Sequence, residues 1–561
     1  KYHAEGNTKE AEKIYQLLLN KGFNDSRVLN NYGVICKQNN QIEKAIDLYK
    51  KSINLYPKEP EAYSNLGNIL SKLGKLEEAE SFTRIALKLK GNYVEALCTL
   101  GNILKEKGSL HEAEKITRKC IALNPNHAIA HSNLGNIYRE TNRYDLALFH
   151  QKKAIQIAPD LAQAYCCMGG ILMDLGQSKE AEKYTRDALQ KDEYLAEAYS
   201  NLGCILVDIG QLREAEKQYY KAISIKPYLA STYYFLSRLK SSNQLNNWQE
   251  QLFSEKIITN NTEVNHIQIY FARANIMHSQ KKYKESASYL QVANDLKLKY
   301  YPSNKEIFIE KILNIKKSYK KSKPDIEEVK NRNHTEFIFI VGMPRSGSTL
   351  LESIISMNEN VEDLGEKNLL EESILEWGGL SNRNNNQHSL REIYKKKANC
   401  THKVSTDKWL YNFQYAGVIA SELLSAKIIY CNRNPLDNIL SIYRANFTKG
   451  NSYSSSLEDA TEIYMHHKEL MKFYKNEFPN VIYNLNYDLL VKKPEQVIKP
   501  LIEWLRWEWR DDYLSPHLNK RNVSTASNVQ VRSPINSKSL GGWKNYEEML
   551  FPAIQIINNQ N

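Results

Sequence analysis

A glycine-bearing turn between an apolar run and a helix-like segment holds the residues best suited to chemistry. Residues 337–356 read FIFIVGMPRSGSTLLESIIS, and the continuous apolar start is typical of an inner strand of a parallel sheet. Gly342 and Gly347 let the backbone wrap closely around an anion. The N–H groups of residues 346–349 would point at that anion from the positive end of the following helix. The sequence therefore predicts an oxyanion-binding loop.

This loop departs from the phosphate-binding pattern GxxxxGK[ST] in one residue. Ser348 stands where that pattern has the lysine that neutralises the β- and γ-phosphates of a nucleotide triphosphate. Arg345 instead places a cation inside the loop. We therefore expect a ligand with a shorter or less charged terminal group than a triphosphate. The alternative without a function is a plain glycine-rich turn between a strand and a helix.

Two later strand-like runs also end in candidate ligand-binding residues. Arg433 follows KIIYC, and Ser441 lies eight residues further on in a predicted helix. An arginine suits a phosphate because its planar fork donates two hydrogen bonds at once, although a surface salt bridge is the alternative. Tyr487 ends the run VIYNLNY and is either a residue lining the same site or a core tyrosine.

The first 240 residues consist of a repeat of 34 residues in which small residues recur in one frame. Glycine recurs at one frame position in six successive periods, and alanine follows each of these glycines by twelve residues. The glycines are Gly33, Gly67, Gly101, Gly135, Gly169 and Gly203, and the alanines are Ala45, Ala79, Ala113, Ala147, Ala181 and Ala215. Each unit predicts two amphipathic helices that approach closely at these residues, and single units must stack to bury their apolar faces. A degenerate unit follows, with Ala287 at the alanine position and Asn275 in place of glycine.

These patterns resemble two known families. The 34-residue repeat resembles the tetratricopeptide repeat. The motif PRSGST resembles the 5′-phosphosulfate loop of sulfotransferases, most closely that of the tyrosylprotein sulfotransferase branch. The resemblance implies an all-α tetratricopeptide superhelix over residues 1–300, a basic helix or linker over 301–336, and an α/β sulfotransferase domain with a parallel sheet over 337–561. Members of that family bind 3′-phosphoadenosine 5′-phosphosulfate (PAPS) as co-substrate and transfer its sulfuryl group to a hydroxyl.

The resemblance also implies catalytic roles for individual residues. Glu366, in NVEDLGEKNLLEES, matches the general base, with Glu362 and Asp363 as rivals. Lys408, in STDKWLYNF, matches a lysine that stabilises the leaving group, with Lys403 as the alternative.

Two further catalytic residues and the co-substrate site follow from the same resemblance. Arg345 and Ser527 would contact the sulfuryl or bridging oxygens, with Ser524 as the rival of Ser527. The implied PAPS-binding residues are Pro344, Arg345, Ser346, Gly347, Ser348, Thr349, Arg433, Ser441 and Tyr487.

The segment SLGGWKNYE resembles the loop that covers the co-substrate in this family. Gly542 stands there in place of the family's basic residue. Arg532, Lys538 and Lys544 are the candidates to compensate for it.

Composition and cysteine spacing limit the classes of binding partner and the cellular compartment that we expect. The formal net charge of +12 favours anionic ligands, but lysine is spread along the whole chain, so we expect no nucleic-acid partner. No apolar run reaches about 18 residues and no signal peptide is visible, which predicts a cytoplasmic protein without a membrane segment, although the chain begins without methionine. The eight cysteines show no CxxC or Cys/His spacing typical of a metal site, so we expect core thiols and no metal.

We therefore expect sulfuryl transfer from PAPS to a hydroxyl, with adenosine 3′,5′-bisphosphate as the second product. The acceptor would be a protein or peptide, with tyrosine the attractive side chain, because repeat arrays bind extended peptides and other proteins. Glycans and small molecules stay open as acceptors. Two alternatives come from other classes: an ATP-using phosphotransferase, against which the missing loop lysine argues, and a non-catalytic tetratricopeptide scaffold.

Overall fold

The computed structural model describes residues 7–239, 247–319, 336–379, 388–400, 402–447, 451–519, 521–523, 525 and 527–560. The chain divides into two compact units. The first unit comprises Lys1–Ile205, Lys217–Thr232 and Leu245–His266, and the second comprises Leu206–Glu216, Tyr233–Gln244 and Ile267–Asn561. The predicted domain boundaries at residues 300 and 336 stay predictions, since most of the predicted linker, residues 320–335, lies outside the described residues.

Consecutive pairs of helices build the repeat region. Its helices are α1 Thr8–Asn20, α2 Ser26–Gln38, α3 Ile42–Leu55, α4 Pro60–Lys72, α5 Leu76–Leu89, α6 Val94–Glu106, α7 Leu110–Leu123, α8 Ala128–Glu140, α9 Tyr144–Ile157, α10 Ala162–Asp174, α11 Ser178–Lys191, α12 Ala196–Asp208, α13 Leu212–Ile225 and α14 Ala230–Arg238. The helices that follow are α15 Asn247–Phe253, α16 Glu255–Thr259, α17 Glu263–Ser279, α18 Tyr283–Tyr300 and α19 Lys305–Ser318. The predicted degenerate unit therefore corresponds to the helix pair α17 and α18.

The frame glycines are small because each one faces a side chain of the second helix in its pair, sixteen residues further along the chain. The facing residues are Tyr49, Thr83, Thr117, Gln151, Thr185 and Tyr219. A Cβ on Gly101 would overlap Oγ1 of Thr117, and that hydroxyl donates a hydrogen bond to the Ala113 carbonyl at 2.7 Å. The six frame alanines are fully buried. The helices of one pair therefore approach as closely as the sequence predicts.

A five-stranded parallel sheet organises the second unit. Its strands are β1 Phe337–Gly342, β2 Val361–Asp363, β3 Val404–Asp407, β4 Ala426–Asn432 and β5 Ile482–Asn486, in the order β2-β3-β1-β4-β5. The helices after β1 are α20 Ser348–Ile355, α21 Leu369–Glu376, α22 Leu390–Ala398, α23 Ala416–Glu422, α24 Pro435–Tyr443, α25 Leu457–Glu477, α26 Tyr487–Lys492, α27 Pro494–Leu505 and α28 Phe551–Gln560. The predicted order of an all-α array followed by an α/β domain with a parallel sheet is confirmed.

The central strand β1 is buried on both faces, as its continuous apolar run predicts. Phe337 and Phe339 belong to the core on one face, and Ile338 and Ile340 belong to the core on the other. Since β1 pairs with both β3 and β4, the loops after these three strands leave the same edge of the sheet. In an open parallel sheet this edge is where ligands bind, at the point where the strand order reverses.

No helix among the described residues combines the length and the hydrophobicity that crossing a bilayer requires.

Candidate functional site

The predicted anion loop joins β1 to α20, and its glycines are required by close contacts. A Cβ on Gly342 would lie 2.6 Å from the carbonyl oxygen of Cys431 on the neighbouring strand β4. Gly347 has a φ of +98° and directly precedes α20, and a Cβ there would overlap the ring of Tyr487. Arg345 also has a positive φ, of 67°. The loop therefore follows a tight path that leads into the N-terminus of α20.

Buried polar groups without partners lie in this loop and beside it. Ser346, Ser348 and Thr349 are buried. Oγ of Ser346 and Nε of Arg433 are buried and have no hydrogen-bond partner among the described residues. A buried donor without a partner is costly, so these atoms are suited to an anionic ligand in contact with the loop.

Arg345 links the loop to two other segments of the domain. Its Nε donates to Oγ of Ser441 at 3.1 Å, one Nη donates to Oγ of Ser527, and the other donates to Oε1 of Gln530 at 2.9 Å. Burial lowers the pKa of Arg345 to about 10, helped by the nearby Arg238 guanidinium. The group therefore stays a cation at neutral pH, surrounded by hydroxyl and amide oxygens.

Arg433 follows β4 and lies against the other side of the loop backbone. Its two Nη atoms donate to the carbonyl of Arg345 at 3.2 Å and to that of Ser539 at 2.9 Å. Its guanidinium carbon lies 4.9 Å from the ring centroid of Tyr487. The structure thus brings Arg433, Tyr487 and the loop together, whereas Ser441 is hydrogen-bonded to Arg345.

The predicted covering segment is tied to the start of α24. The backbone N–H groups of Gly541 and Trp543 donate to the two carboxylate oxygens of Asp437 at 2.7 and 3.0 Å. Among the candidates to replace the basic residue missing at Gly542, Lys538 and Lys544 are exposed.

The third of these candidates, Arg532, uses its guanidinium for structural contacts within the second unit. It donates to the carbonyls of Asn519, Arg521 and Asp208 at 2.7–2.8 Å.

Lys408 follows β3 and is held between two carboxyl groups. Its Nζ lies 2.6 Å from Oε1 of Glu366 and 3.4 Å from Oε2 of Glu352, and only 1% of its side chain is exposed. Burial by itself would lower the pKa of Lys408, but the two carboxyl groups outweigh it and the pKa is raised. The predicted leaving-group cation and the predicted base are therefore in direct contact. Lys403, the alternative cation, is exposed at the start of the same strand.

Arg521 completes this charged cluster from a distant part of the chain. It pairs with Glu352 at 2.9 Å and with Asp363. Burial would raise the pKa of Asp363, but Arg521, Lys408 and the hydrogen bonds from Glu352 and Gly365 together outweigh it and the pKa is lowered. Burial raises the pKa of Glu352 to about 8 against the effect of both cations. The cluster has three carboxyl groups and two cations, so at neutral pH Glu352 is the group that keeps a proton.

The three predicted candidates for the base differ in their surroundings. Asp363 is tied to Arg521, and Glu362 lies 3.4 Å from Nδ1 of His402. Glu366 lies between β2 and α21 with 41% of its side chain exposed. It is therefore the one of the three that combines contact with Lys408 and access to solvent.

Several residues of the site were not predicted from the sequence. Glu352 lies on α20 and Arg521 in the C-terminal segment. Nδ2 of Asn438 donates to the carbonyl of Pro344 at 2.9 Å. The family resemblance assigns no role to these three residues, so no signal for them was found in the sequence. Ser524, the rival of Ser527, lies outside the described residues.

Two residues near the ends of repeat helices position the segment that carries Ser527. Asn528 donates to Oδ1 of Asp208 at 2.8 Å and accepts from Arg238 at 3.0 Å. Asp208 and Arg238 both belong to the second unit. They end α12 and α14, and a role for them was not predicted from the sequence.

Family models match both parts of the chain. A model described as sulfotransferase family matches residues 338–511. Models described as TPR repeat or tetratricopeptide repeat match residues 33–74, 92–160, 60–93 and 196–228.

Individual relatives are similar over part of the chain. An "Uncharacterized protein" of Aquifex aeolicus (strain VF5) is 33% identical over 258 residues, which cover 41% of this chain and 34% of that protein. A "Putative protein-tyrosine sulfotransferase" of Caenorhabditis briggsae is 25% identical over 239 residues, which cover 38% of this chain and 81% of that protein. The solved structure of a thermophilic TPR protein of Thermus thermophilus is 24% identical with a TM-score of 0.29 and covers 31% of this chain and 94% of that chain. The match thus spans about a third of the Aquifex relative. By its repeats, its sheet and its matched families, the chain combines a tetratricopeptide-repeat array with a domain of the sulfotransferase family.

Proposed function

We propose that this protein transfers the sulfuryl group of PAPS to a hydroxyl of a protein or peptide, with tyrosine as the leading acceptor. The sulfotransferase-family domain supports sulfuryl transfer in general, and the similarity to a putative protein-tyrosine sulfotransferase favours this acceptor. The observation that carries the proposal is a lysine-free anion loop beside a second guanidinium. Oγ of Ser346 and Nε of Arg433 are buried there without partners among the described residues.

The residues of the loop and of the strand ends fit the two anionic groups of this co-substrate. The N–H groups and hydroxyls at the start of α20, with Pro344 and Gly347 shaping the turn, would hold the 5′-phosphosulfate. Arg433 and Ser441 would hold the 3′-phosphate, and Tyr487 would line the nucleotide site. When bound, PAPS supplies an activated sulfuryl group and leaves as adenosine 3′,5′-bisphosphate.

Glu366 is the proposed base. It accepts the proton of the acceptor hydroxyl as the new oxygen–sulfur bond forms and the sulfur–oxygen bond to the nucleotide breaks. Its partly exposed carboxylate fits a group that must meet an incoming side chain. Negative charge grows on the bridging oxygen of the nucleotide, and Lys408, Arg345 and Ser527 are the cations and donor placed to stabilise it.

Uptake of the proton would neutralise the Glu366 carboxylate and so weaken its ion pair with Lys408. Glu352, 3.4 Å from Nζ of Lys408, keeps the ammonium group in a polar environment during this exchange. Weakening of this ion pair would therefore make Lys408 available as negative charge develops on the leaving group.

The repeat array is proposed to bring the acceptor protein. Arrays of this kind bind extended peptides and protein partners along their stacked helices. An acceptor presented in this way would gain affinity from residues remote from the reacting hydroxyl, and such remote binding favours a macromolecular acceptor over a small phenol.

The decisive experiment incubates the full chain with radiolabelled PAPS and tyrosine-containing peptides, alongside Glu366→Gln. We expect labelled peptide with the wild type and a loss of about 10²–10⁴-fold in rate with the variant. A thermal-shift series with adenosine 3′,5′-bisphosphate and ATP runs in parallel, and only the bisphosphate should stabilise the protein. Stabilisation by ATP alone, or equal labelling by wild type and variant, would contradict the proposal.

A further inference from the structure

Two cysteines and one histidine meet inside the repeat array. Cys98 lies on α6, Cys120 lies on α7, and His127 directly precedes α8. One ligand atom from each of the three lies within 4.8 Å of the other two. Both cysteines are buried and are not joined as a disulfide. His127 is partly exposed, which gives a small ion access to the cluster.

Most other repeats have different residue types at the positions equivalent to Cys98, Cys120 and His127. The residues at multiples of 34 positions from Cys98 include Asn30, Ser64, Ser132, Cys166 and Ser200. The residues in the place of Cys120 are Ser52, Ala86, Ala154, Ala188 and Ala222. The residues in the place of His127 are Glu59, Tyr93, Leu161, Leu195 and Leu229. Serine, alanine and leucine therefore satisfy the packing at these positions in other repeats. The junction of α6, α7 and α8 instead combines two thiols with an imidazole.

Each of the three side chains also has a hydrogen-bonding contact to a neighbouring residue. Nδ1 of His127 accepts from the N–H of Ala130 at 3.1 Å. Nδ2 of Asn133 donates to Sγ of Cys98 at 3.6 Å. Sγ of Cys120 donates its proton to the Val94 carbonyl at 3.4 Å, and that proton would be released on metal binding.

We propose that Cys98, Cys120 and His127 form a Zn²⁺ site that links consecutive helix pairs of the array. Two thiolates and one imidazole are a zinc donor set, with a fourth position left for water. The ion would connect α6, α7 and the residue that directly precedes α8. The site lies within the first unit and is independent of the proposed sulfotransferase chemistry.

The test uses the full chain, reduced and stripped with a chelator, and titrated with Co²⁺ as a spectroscopic substitute for Zn²⁺. We expect one equivalent of Co²⁺ to give the near-ultraviolet thiolate-to-metal charge-transfer band and tetrahedral visible bands. Zn²⁺ should displace the cobalt and raise the melting temperature of the array.

The variants exchange each ligand for a residue that other repeats use in the same place. Cys98→Ser, Cys120→Ala and His127→Leu should therefore keep the helical circular-dichroism spectrum and each weaken metal binding at least tenfold. Cys166→Ser is the matched control, because Cys166 occupies the frame position of Cys98 but faces Ala188. It should bind metal like the wild type.

Three results would overturn the proposal. The first is that the reduced protein binds neither Co²⁺ nor Zn²⁺. That result contradicts the proposal even if the two thiols form a disulfide on mild oxidation. The second is metal binding that survives all three ligand variants. The third is binding of Cu⁺ without binding of Zn²⁺, which would assign the cluster to a different metal.

Discussion

Nζ of Lys408 lies 2.6 Å from Oε1 of Glu366, so the proposed cation for the leaving group and the proposed base form an ion pair. Glu366 is accessible at the edge of the site, whereas Lys408 is buried and also contacts Glu352. The two partners of one ion pair should therefore respond differently to substitution, because only one of them supports the interior.

Replacing either Glu366 or Lys408 should lower activity, but the two replacements should lower the free energy of unfolding by different amounts. Glu366→Gln should lower kcat strongly and should lower the free energy of unfolding by less than the change at Lys408, since 41% of the Glu366 side chain is exposed and water can solvate the group that replaces its carboxylate. Lys408→Met removes a buried ammonium group from beside the buried carboxyl group of Glu352 and should cost about 3–5 kcal/mol in addition to activity. Urea unfolding and sulfate-transfer rates measure both effects, and equal loss of stability in the two variants would argue against the described burial of Lys408.

Arg433→Ala should weaken the binding of adenosine 3′,5′-bisphosphate by about 10–100-fold, because it would remove the proposed charge-assisted hydrogen bonds to the 3′-phosphate. Isothermal titration calorimetry gives the affinity directly. Arg391→Ala is the matched control, since Arg391 pairs with Glu336 at the opposite end of β1 and should leave nucleotide affinity unchanged. If Arg433→Ala bound adenosine 3′,5′-bisphosphate with the affinity of the wild type, Arg433 would not belong to the nucleotide site.

The raised pKa of Glu352 predicts a pH dependence of stability. Burial raises that pKa from 4.5 to about 8, so between these values the native protein keeps a proton that the unfolded chain has released. The free energy of unfolding should therefore fall as pH rises through this window, by an amount on the order of a few kcal/mol. Glu352→Gln cannot titrate and should lose this contribution. Urea unfolding at several pH values compares the two slopes, and parallel slopes would show that Glu352 is already ionised.

Gly101→Ala tests the close approach of helices within one repeat. A Cβ there overlaps Oγ1 of Thr117, and overpacking of this kind costs about 1–3 kcal/mol. The double variant Gly101→Ala/Thr117→Ala removes the obstructing hydroxyl and should recover part of the loss, which a double-mutant cycle measures as a coupling energy. Strict additivity of the two single changes would mean that the two residues do not contact each other.

Features that depend on neighbouring residues could be predicted from the sequence. The helix pairs follow from apolar spacing within one period, and the loop between β1 and α20 follows from an apolar run next to Gly342 and Gly347. The sequence also placed Arg433 at a strand end, because strand and turn signals are local, whereas only the family resemblance singled out Lys408. The contacts of their side chains could not be predicted, since they depend on which strands and segments become neighbours.

By itself, the sequence determined the repeat, the strand–loop–helix unit and the charged residues at the strand ends, because periodicity and turn chemistry act over a few residues. Only the tertiary structure decided that Lys408 lies between Glu366 and Glu352, and that Arg521 joins them from more than a hundred residues away. It also decided that Cys98, Cys120 and His127 meet, although their spacing matches no metal motif. In both cases the packing of strands or of stacked helices decides which side chains become neighbours, and a linear pattern does not encode that proximity.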